Sequence, residues 1–268
     1  MSPLATFIHD HPHLMLLTGA GCSTASGIPD YRDRAGAWKR PPPIEFAAFM
    51  HDPAARRRYW ARSLVGWPRF HQARPNPAHR ALAALEAAGH VSLLVTQNVD
   101  GLHQAAGSRH VVDLHGRLDA VRCMACDWRN TREAFQQQLA ERNPGWTGLT
   151  AGGAPDGDAD LEGVDFTRFA VPPCPACGGI VKPDVVFFGE PVPSQRITAA
   201  REALAASDAL LVVGSSLMVY SGYRFARQAA TASQPIAAVG LGHTRADDLL
   251  TLKIDAPCET ALGFLLEG

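Results

Sequence analysis

The stretch "LLTGAGCSTASGIPDYRD", residues 16–33, decides how the chain is read. An apolar run ends at Gly19 and Gly21, which predicts a buried strand entering a turn open enough for backbone to approach a phosphate. A helix is expected directly after it. The usual dinucleotide fingerprint, G-x-G-x-x-G, needs a third glycine three residues after the second. Here that position is Thr24, and the next glycine is Gly27. The loop is therefore either a degenerate hydride-transfer signature or a loop for other chemistry on the same ligand.

The pattern recurs outward from this stretch. "VSLLVTQNVDG", "ALLVVGSSL" and "QPIAAVGLG" each run from an apolar segment into a polar or glycine-rich loop. Alanine-rich helical stretches, "PAHRALAALEAAGH" and "RITAAREALAASDA", lie between them. Alternating strands and helices predict an α/β fold with a mainly parallel sheet covered on both faces. Ligands of such sheets bind at the carboxyl ends of the strands. TGAG, TQNVDG and GSS all fall there.

With 268 residues, the chain has room for one large domain and a smaller insert. A net charge of -1 and a pI near 6.8 give no basis for nucleic acid or an anionic membrane as the main partner. No apolar run reaches the roughly 20 residues that span a bilayer. The N-terminal stretch lacks the pattern of a signal peptide, so a cytoplasmic protein is expected. A monomer is expected as well. The aromatic and arginine-rich segment 38–75 reads as a helical insertion. The glycine- and aspartate-rich stretch "NPGWTGLTAGGAPDGDADLEGVD" reads as an irregular loop.

Four of the 6 cysteines form two C-x-x-C pairs, Cys123/Cys126 and Cys174/Cys177. Two such turns make a closed, tetrahedral all-thiolate zinc site with no position left for substrate, hence structural. Redox pairs are the alternative. Cys22 and Cys258 read as buried apolar side chains. Gln97, Asn98 and Asp100 suit a ligand with hydroxyls and a carboxamide, or else merely end their strand through local turns. His115, before Gly116, is a candidate base among 11 histidines. Asp30 and Arg32 make either a pyrophosphate contact or a surface ion pair.

Together GAGCSTASGIPDYR, TQNVDGLH, LHG, the two cysteine pairs, KPDVVFFGE and GSSLMVYS resemble the sirtuin family of NAD-dependent protein deacylases. Segments "RYWARSLVGWP", "PNPAHRAL", "APDGD" and "VVGSSLMVYSGYRF" look closest to its class II branch, near the mitochondrial lipoamidase and ADP-ribosyltransferase. The resemblance implies a Rossmann-like NAD domain (1–37, 76–118 and 182–268). A helical module (38–75) and a zinc module (119–181) would form the smaller domain.

By motif match, Gly19, Ala20, Gly21 and Ser23 would face phosphate and ribose, with Asp30, Tyr31 and Arg32 on a flexible cofactor loop. Gln97, Asn98 and Asp100 would bind ribose and carboxamide, and Asn98 is counted with the catalytic residues. Gly214, Ser215, Ser216, Gly240, Leu241, Gly242 and Cys258 would take the adenosine half. An asparagine that many relatives carry near Gly240 is absent. The stretch Val185, Phe187, Phe188, Gly189 and Glu190 would pair with an acyl-lysine peptide as an added strand.

In the implied mechanism the acyl oxygen displaces nicotinamide, and His115 acts as general base on a ribose hydroxyl. The products are free lysine and O-acyl-ADP-ribose. Tyr59 and Arg62 form Y-x-x-R, a pair that would suit a carboxylated acyl group. The alternatives are mono-ADP-ribosyl transfer and a non-catalytic zinc and NAD-binding module.

Overall fold

The computed structural model describes residues 2–39, 43–149, 152, 157–161 and 163–267. Nine strands and nine α-helices run in this order among them: α1 (Pro3–Asp10), β1 (Leu14–Thr18), α2 (Phe46–His51), α3 (Pro53–His71), α4 (Pro77–Ala87), β2 (Val91–Thr96), α5 (Leu102–Ala105), β3 (Val111–Asp113), β4 (Gly116–Cys123), β5 (Arg129–Thr131), α6 (Arg132–Arg142), β6 (Val181–Val185), α7 (Ser194–Ala205), β7 (Ala209–Val213), α8 (Tyr220–Thr231), β8 (Ile236–Val239), β9 (Leu252–Ile254) and α9 (Cys258–Ala261).

Six strands form one parallel sheet in the order β3-β2-β1-β7-β8-β9. β1 and β7 lie at its centre with every residue buried. That explains their unbroken Leu, Met and Val runs, since both faces are covered. Leu4, Phe7, Leu82 and Leu85 pack one face, and Ala200, Leu204, Phe225 and Ala229 pack the other. This is the expected α/β architecture.

Register places the loops. Thr18 pairs with Thr96 and Val213, Thr96 with Asp113, and Val213 with Val239. The next residues, Gly19, Gln97, Leu114, Gly214 and Gly240, therefore leave the sheet at one edge. Strand order reverses between β1 and β7, and the crevice above such a reversal is where ligands bind.

The loop after β1 departs from the expected helix. Two short 3-10 turns, Ala20–Cys22 and Thr24–Ser26, follow Gly19. The reason is the neighbouring loop: a Cβ on Gly19 would lie 2.8 Å from Ser215 Cβ, and one on Gly21 would lie 2.9 Å from the Gly214 carbonyl. These glycines let two backbones touch, with Gly21 N–H donating to Gly214 at 2.8 Å. A third glycine for helix packing has no purpose here.

A second, three-stranded antiparallel sheet, β5-β4-β6, carries the cysteine pairs. β6 straddles the boundary expected at 181/182, so the small sheet continues to Val185. α2 and α3 fill most of the expected helical insertion. α3 begins on Asp52, whose side chain accepts from Ala54 N–H, followed by Pro53 at the first helical position. Trp60, Phe49, Tyr59, Phe135 and Val121 form a separate core joining these helices to the small sheet. Residues 150–151, 153–156 and 162 of the glycine- and aspartate-rich stretch, and with them most of "APDGD", lie outside the described residues.

Candidate active site at the sheet's switch point

A cavity of about 900 Å³ opens between the two domains above the β1/β7 reversal. Its wall contains Gly19, Ala20, Gly21, Ser23, Asp30, Tyr31, Arg32, Gln97, Asn98, Asp100 and His115 from the first half of the chain. Val185, Phe187, Phe188, Gly189, Glu190, Gly214, Ser215, Ser216, Gly240, Leu241 and Cys258 come from the second half, and Tyr59 from α3. Of the residues expected to bind cofactor or substrate, two are not in this wall. Gly242 packs on the loop that follows Arg32, where a Cβ would meet the Arg34 carbonyl at 2.5 Å. Arg62 turns its Nε to the Ala159 carbonyl at 2.9 Å.

Ser23 is the hub of a closed polar network. Its hydroxyl donates to Asp100 Oδ2 at 2.7 Å, while Asn98 Nδ2 donates to Ser23 Oγ at 3.0 Å and to the Gly19 carbonyl at 3.1 Å. His79 reaches Ser23 from behind, Nε2 to Oγ at 3.3 Å. His79 is fixed by the start of α4, where Asn76 caps the helix and donates its N–H to His79 Nδ1 at 3.3 Å. That contact makes Nε2 the protonated nitrogen, and burial pushes the His79 pKa down. Cys22, His79 and His103 gather under the loop, all buried, with ligand-type atoms within 4.8 Å of one another.

Sequence reading missed Asn76, His79 and His103. The first two had a usable signal, since Asn-Pro-x-His is a helix start with a reciprocal cap.

His115 lies two residues past the end of β3. Its Nδ1–H donates to the Gln97 carbonyl at 2.9 Å, which leaves Nε2 as the lone pair, and the Ser221 hydroxyl donates to it at 2.7 Å. Burial pushes its pKa down to about 4, assisted by the charges of Arg196 and Arg224. The ring is neutral and able to take a proton at Nε2. Gln97 is itself pinned, with Nε2 donating to Ser215 Oγ at 2.7 Å and to the Thr18 carbonyl at 3.2 Å. By contrast, burial raises the Cys22 thiol well above its ordinary range and Cys258 to about 12. Both stay protonated, inert side chains.

The loop that carries Asp30, Tyr31 and Arg32 is a small hairpin. Asp33 Oδ1 accepts from Ala35 and Ala37 N–H, and Arg32 bridges Trp38. Arg32 lies over the Trp38 ring at 3.9 Å and donates to the Gly36 carbonyl, while Asp30 pairs with Lys39. Asp30 and Arg32 are thus both held within the loop itself.

On the small-domain side the cavity is apolar. Tyr59, Phe49 and Phe187 meet edge to face, with centroids 5.2–5.4 Å apart. Glu190 lines the cavity, but its carboxylate is engaged elsewhere: Lys182 Nζ at 3.0 Å, Arg122 Nη2 at 3.1 Å and Phe187 N–H at 2.9 Å. It braces the strand and is not directed at a ligand. Phe188 already uses its carbonyl to accept from Phe46 N–H at 2.8 Å.

The four cysteines of the small domain converge. Cys123 and Cys177 sulfurs are 3.5 Å apart, Cys126 and Cys174 sulfurs 3.7 Å, and all four lie within 4.8 Å of one another. A zinc–thiolate tetrahedron has edges of about 3.8 Å, whereas a disulfide needs about 2.05 Å. The Ala125 N–H donates to Cys123 Sγ at 3.3 Å, a contact that suits a thiolate. The donor set fits a structural zinc site.

A model of the Sir2 family matches residues 19–221. The chain belongs to the Sir2 family. The NAD-dependent protein deacetylase of Bordetella bronchiseptica is 65% identical over 262 residues, covering 98% of this chain and 96% of that protein. NAD-dependent protein deacetylase 1 of Streptomyces coelicolor is 49% identical over 249 residues, covering 93% and 83%. Among solved structures, a Sir2 complex with a p53 peptide and NAD+ has a TM-score of 0.81 at 29% identity, covering 100% of this chain and 97% of that one. The Sir2 match stands against the hydride-transfer reading of the glycine loop.

Proposed function

We propose that this chain deacylates lysine side chains of proteins and consumes NAD as co-substrate. One observation carries the reading: a neutral His115 is fixed in a single tautomer on the wall of the switch-point cavity, beside the Ser23–Asn98–Asp100 network. The relatives' activity agrees with it, since the matched proteins are NAD-dependent protein deacetylases.

NAD supplies the electrophilic ribose carbon that receives the acyl oxygen when nicotinamide leaves. Gly19 and Gly21 let the loop after β1 close against the Gly214 loop, and the two loops together form the part of the wall where the phosphates would lie. Asn98 and Asp100 orient the nicotinamide ribose, and Ser215 and Ser216 take the adenosine half. His115 Nε2 removes a ribose hydroxyl proton. A base with a depressed pKa is deprotonated throughout the physiological range. The four cysteines would hold zinc, which closes the small sheet and takes no part in the chemistry.

The cavity also bears on acyl choice. Arg62 is absent from the wall, and Tyr59, Phe70, Leu118 and Phe187 line it on the small-domain side, which supports neutral acyl groups such as acetyl over carboxylated ones. The segments around Tyr59, Pro77 and Ser221 support a place near the class II branch. Among the described residues no helix is long and apolar enough to cross a membrane, and the bacterial relatives support a cytoplasmic place.

The test is incubation with NAD and an acetyl-lysine peptide, followed by mass analysis. The expected result is nicotinamide, free peptide and O-acetyl-ADP-ribose in equal amounts, abolished in His115→Ala with fold and zinc intact. ADP-ribosylated protein as the main product would replace this reading with mono-ADP-ribosyl transfer, and full activity in His115→Ala would remove the base.

A further inference from the structure

We infer that Ser221 relays the proton between the ribose hydroxyl and His115, so that the base of this site is a serine–histidine pair. The inference rests on His115 being the general base.

Three observations carry it. First, the Nδ1–H of His115 is committed to the Gln97 carbonyl at 2.9 Å, so the 2.7 Å contact between Nε2 and Ser221 Oγ has one polarity: the hydroxyl donates. The lone pair assigned to catalysis is already capped before any substrate arrives. Second, Ser221 itself lines the cavity. A serine hydroxyl has one proton and two lone pairs, so it can donate to Nε2 and accept from a ligand hydroxyl together.

Third, the backbone is built to hold Ser221 there. Ser221 and Gly222 are the second and third residues of α8. A Cβ on Gly222 would lie 2.4 Å from Gln97 Oε1. The absent side chain lets α8 rest directly on the residue that also anchors His115. One loop residue, Gln97, thus fixes both members of the pair.

In the relay the ribose O–H bond breaks as its proton passes to Ser221 Oγ, and the original Oγ proton passes to Nε2. Ser221 ends unchanged, His115 carries the extra proton, and the ribose oxygen is left as the nucleophile. The alternative, rotation of Ser221 away from the ring, would remove the hydroxyl from the partner it holds and leave no chemical use for it.

The experiment compares Ser221→Ala, Ser221→Val and Ser221→Thr with wild type and His115→Ala, all zinc-loaded and checked for melting temperature. Two rates are read: nicotinamide exchange into NAD, which precedes the step using the base, and O-acetyl-ADP-ribose formation, which follows it. The Ala and Val variants should keep exchange and lose about tenfold in product formation, the value of one hydrogen bond, with KM for NAD within about twofold. Threonine keeps the hydroxyl at the shape of valine and should restore product formation to within about threefold.

Equal product rates in Thr and Val, or wild-type product rates in Val beside an inactive His115→Ala, would overturn the relay alone. Undiminished product formation in His115→Ala would overturn the base assignment and the relay with it.

Discussion

Lowering the pH should destabilise this fold through His115 before it disables the base. In the folded chain its pKa is about 4, against an ordinary 6.5. As pH falls, the unfolded chain therefore takes up the proton first. Stability is lost from about pH 6.5 downward, and the loss levels off near pH 4. Between pH 7 and pH 5 the two values give a loss of about 2 kcal/mol.

The assay is urea unfolding at pH 7 and pH 5 for wild type and His115→Asn. Asparagine keeps a polar group near the Gln97 carbonyl but does not titrate. His79 and His103, also pushed down by burial, contribute equally to both proteins. Wild type should lose about 2 kcal/mol more than the variant over this interval. An equal loss would refute a neutral, burial-depressed His115. The same depression predicts that the acid limb of kcat/KM lies below pH 6.5.

Glu190→Gln leaves the fully buried Lys182 ammonium without its carboxylate, and should cost about 3 kcal/mol in urea unfolding; a change under about 1 kcal/mol would show that the backbone carbonyls suffice. Cys174→Ser should reduce bound metal from one equivalent to none and lower the melting temperature of the small domain. Unchanged metal content would rule out the four-thiolate site. Arg62→Met should leave the ratio of acetyl to glutaryl turnover unchanged, because the guanidinium is held on the Ala159 carbonyl; a specific fall in glutaryl turnover would restore it to the acyl site.

What could be read beforehand was whatever depends on strand ends. TGAG, TQNVDG and GSS each follow an apolar run, and parallel register delivers them to one edge. The cysteine pairs were equally legible, since two short turns dictate a tetrahedron at any loop length. β3 and β9 were not, because three residues each carry too little periodicity. The missing third glycine became intelligible only in space: Gly19 and Gly21 face the Gly214 loop and not a helix of their own.

Side-chain direction was the other blind spot. Tyr59 and Arg62 are one turn apart on α3, yet Tyr59 faces the cavity and Arg62 takes a carbonyl beyond it. Glu190 carries a charge in the stretch expected to pair with a peptide but spends it on Lys182. Ser221 lay within a motif already singled out, and nothing in one dimension joins it to His115.

The most direct test follows the oxygen atom. A peptide whose acetyl-lysine carbonyl carries oxygen-18 is turned over with NAD, and the products are separated. If the acyl oxygen attacks the ribose carbon, the label stays on the ADP-ribose part, with one nicotinamide released per lysine freed. Label in free acetate with NAD left intact would mean direct hydrolysis of the amide, and would contradict an NAD-consuming deacylase.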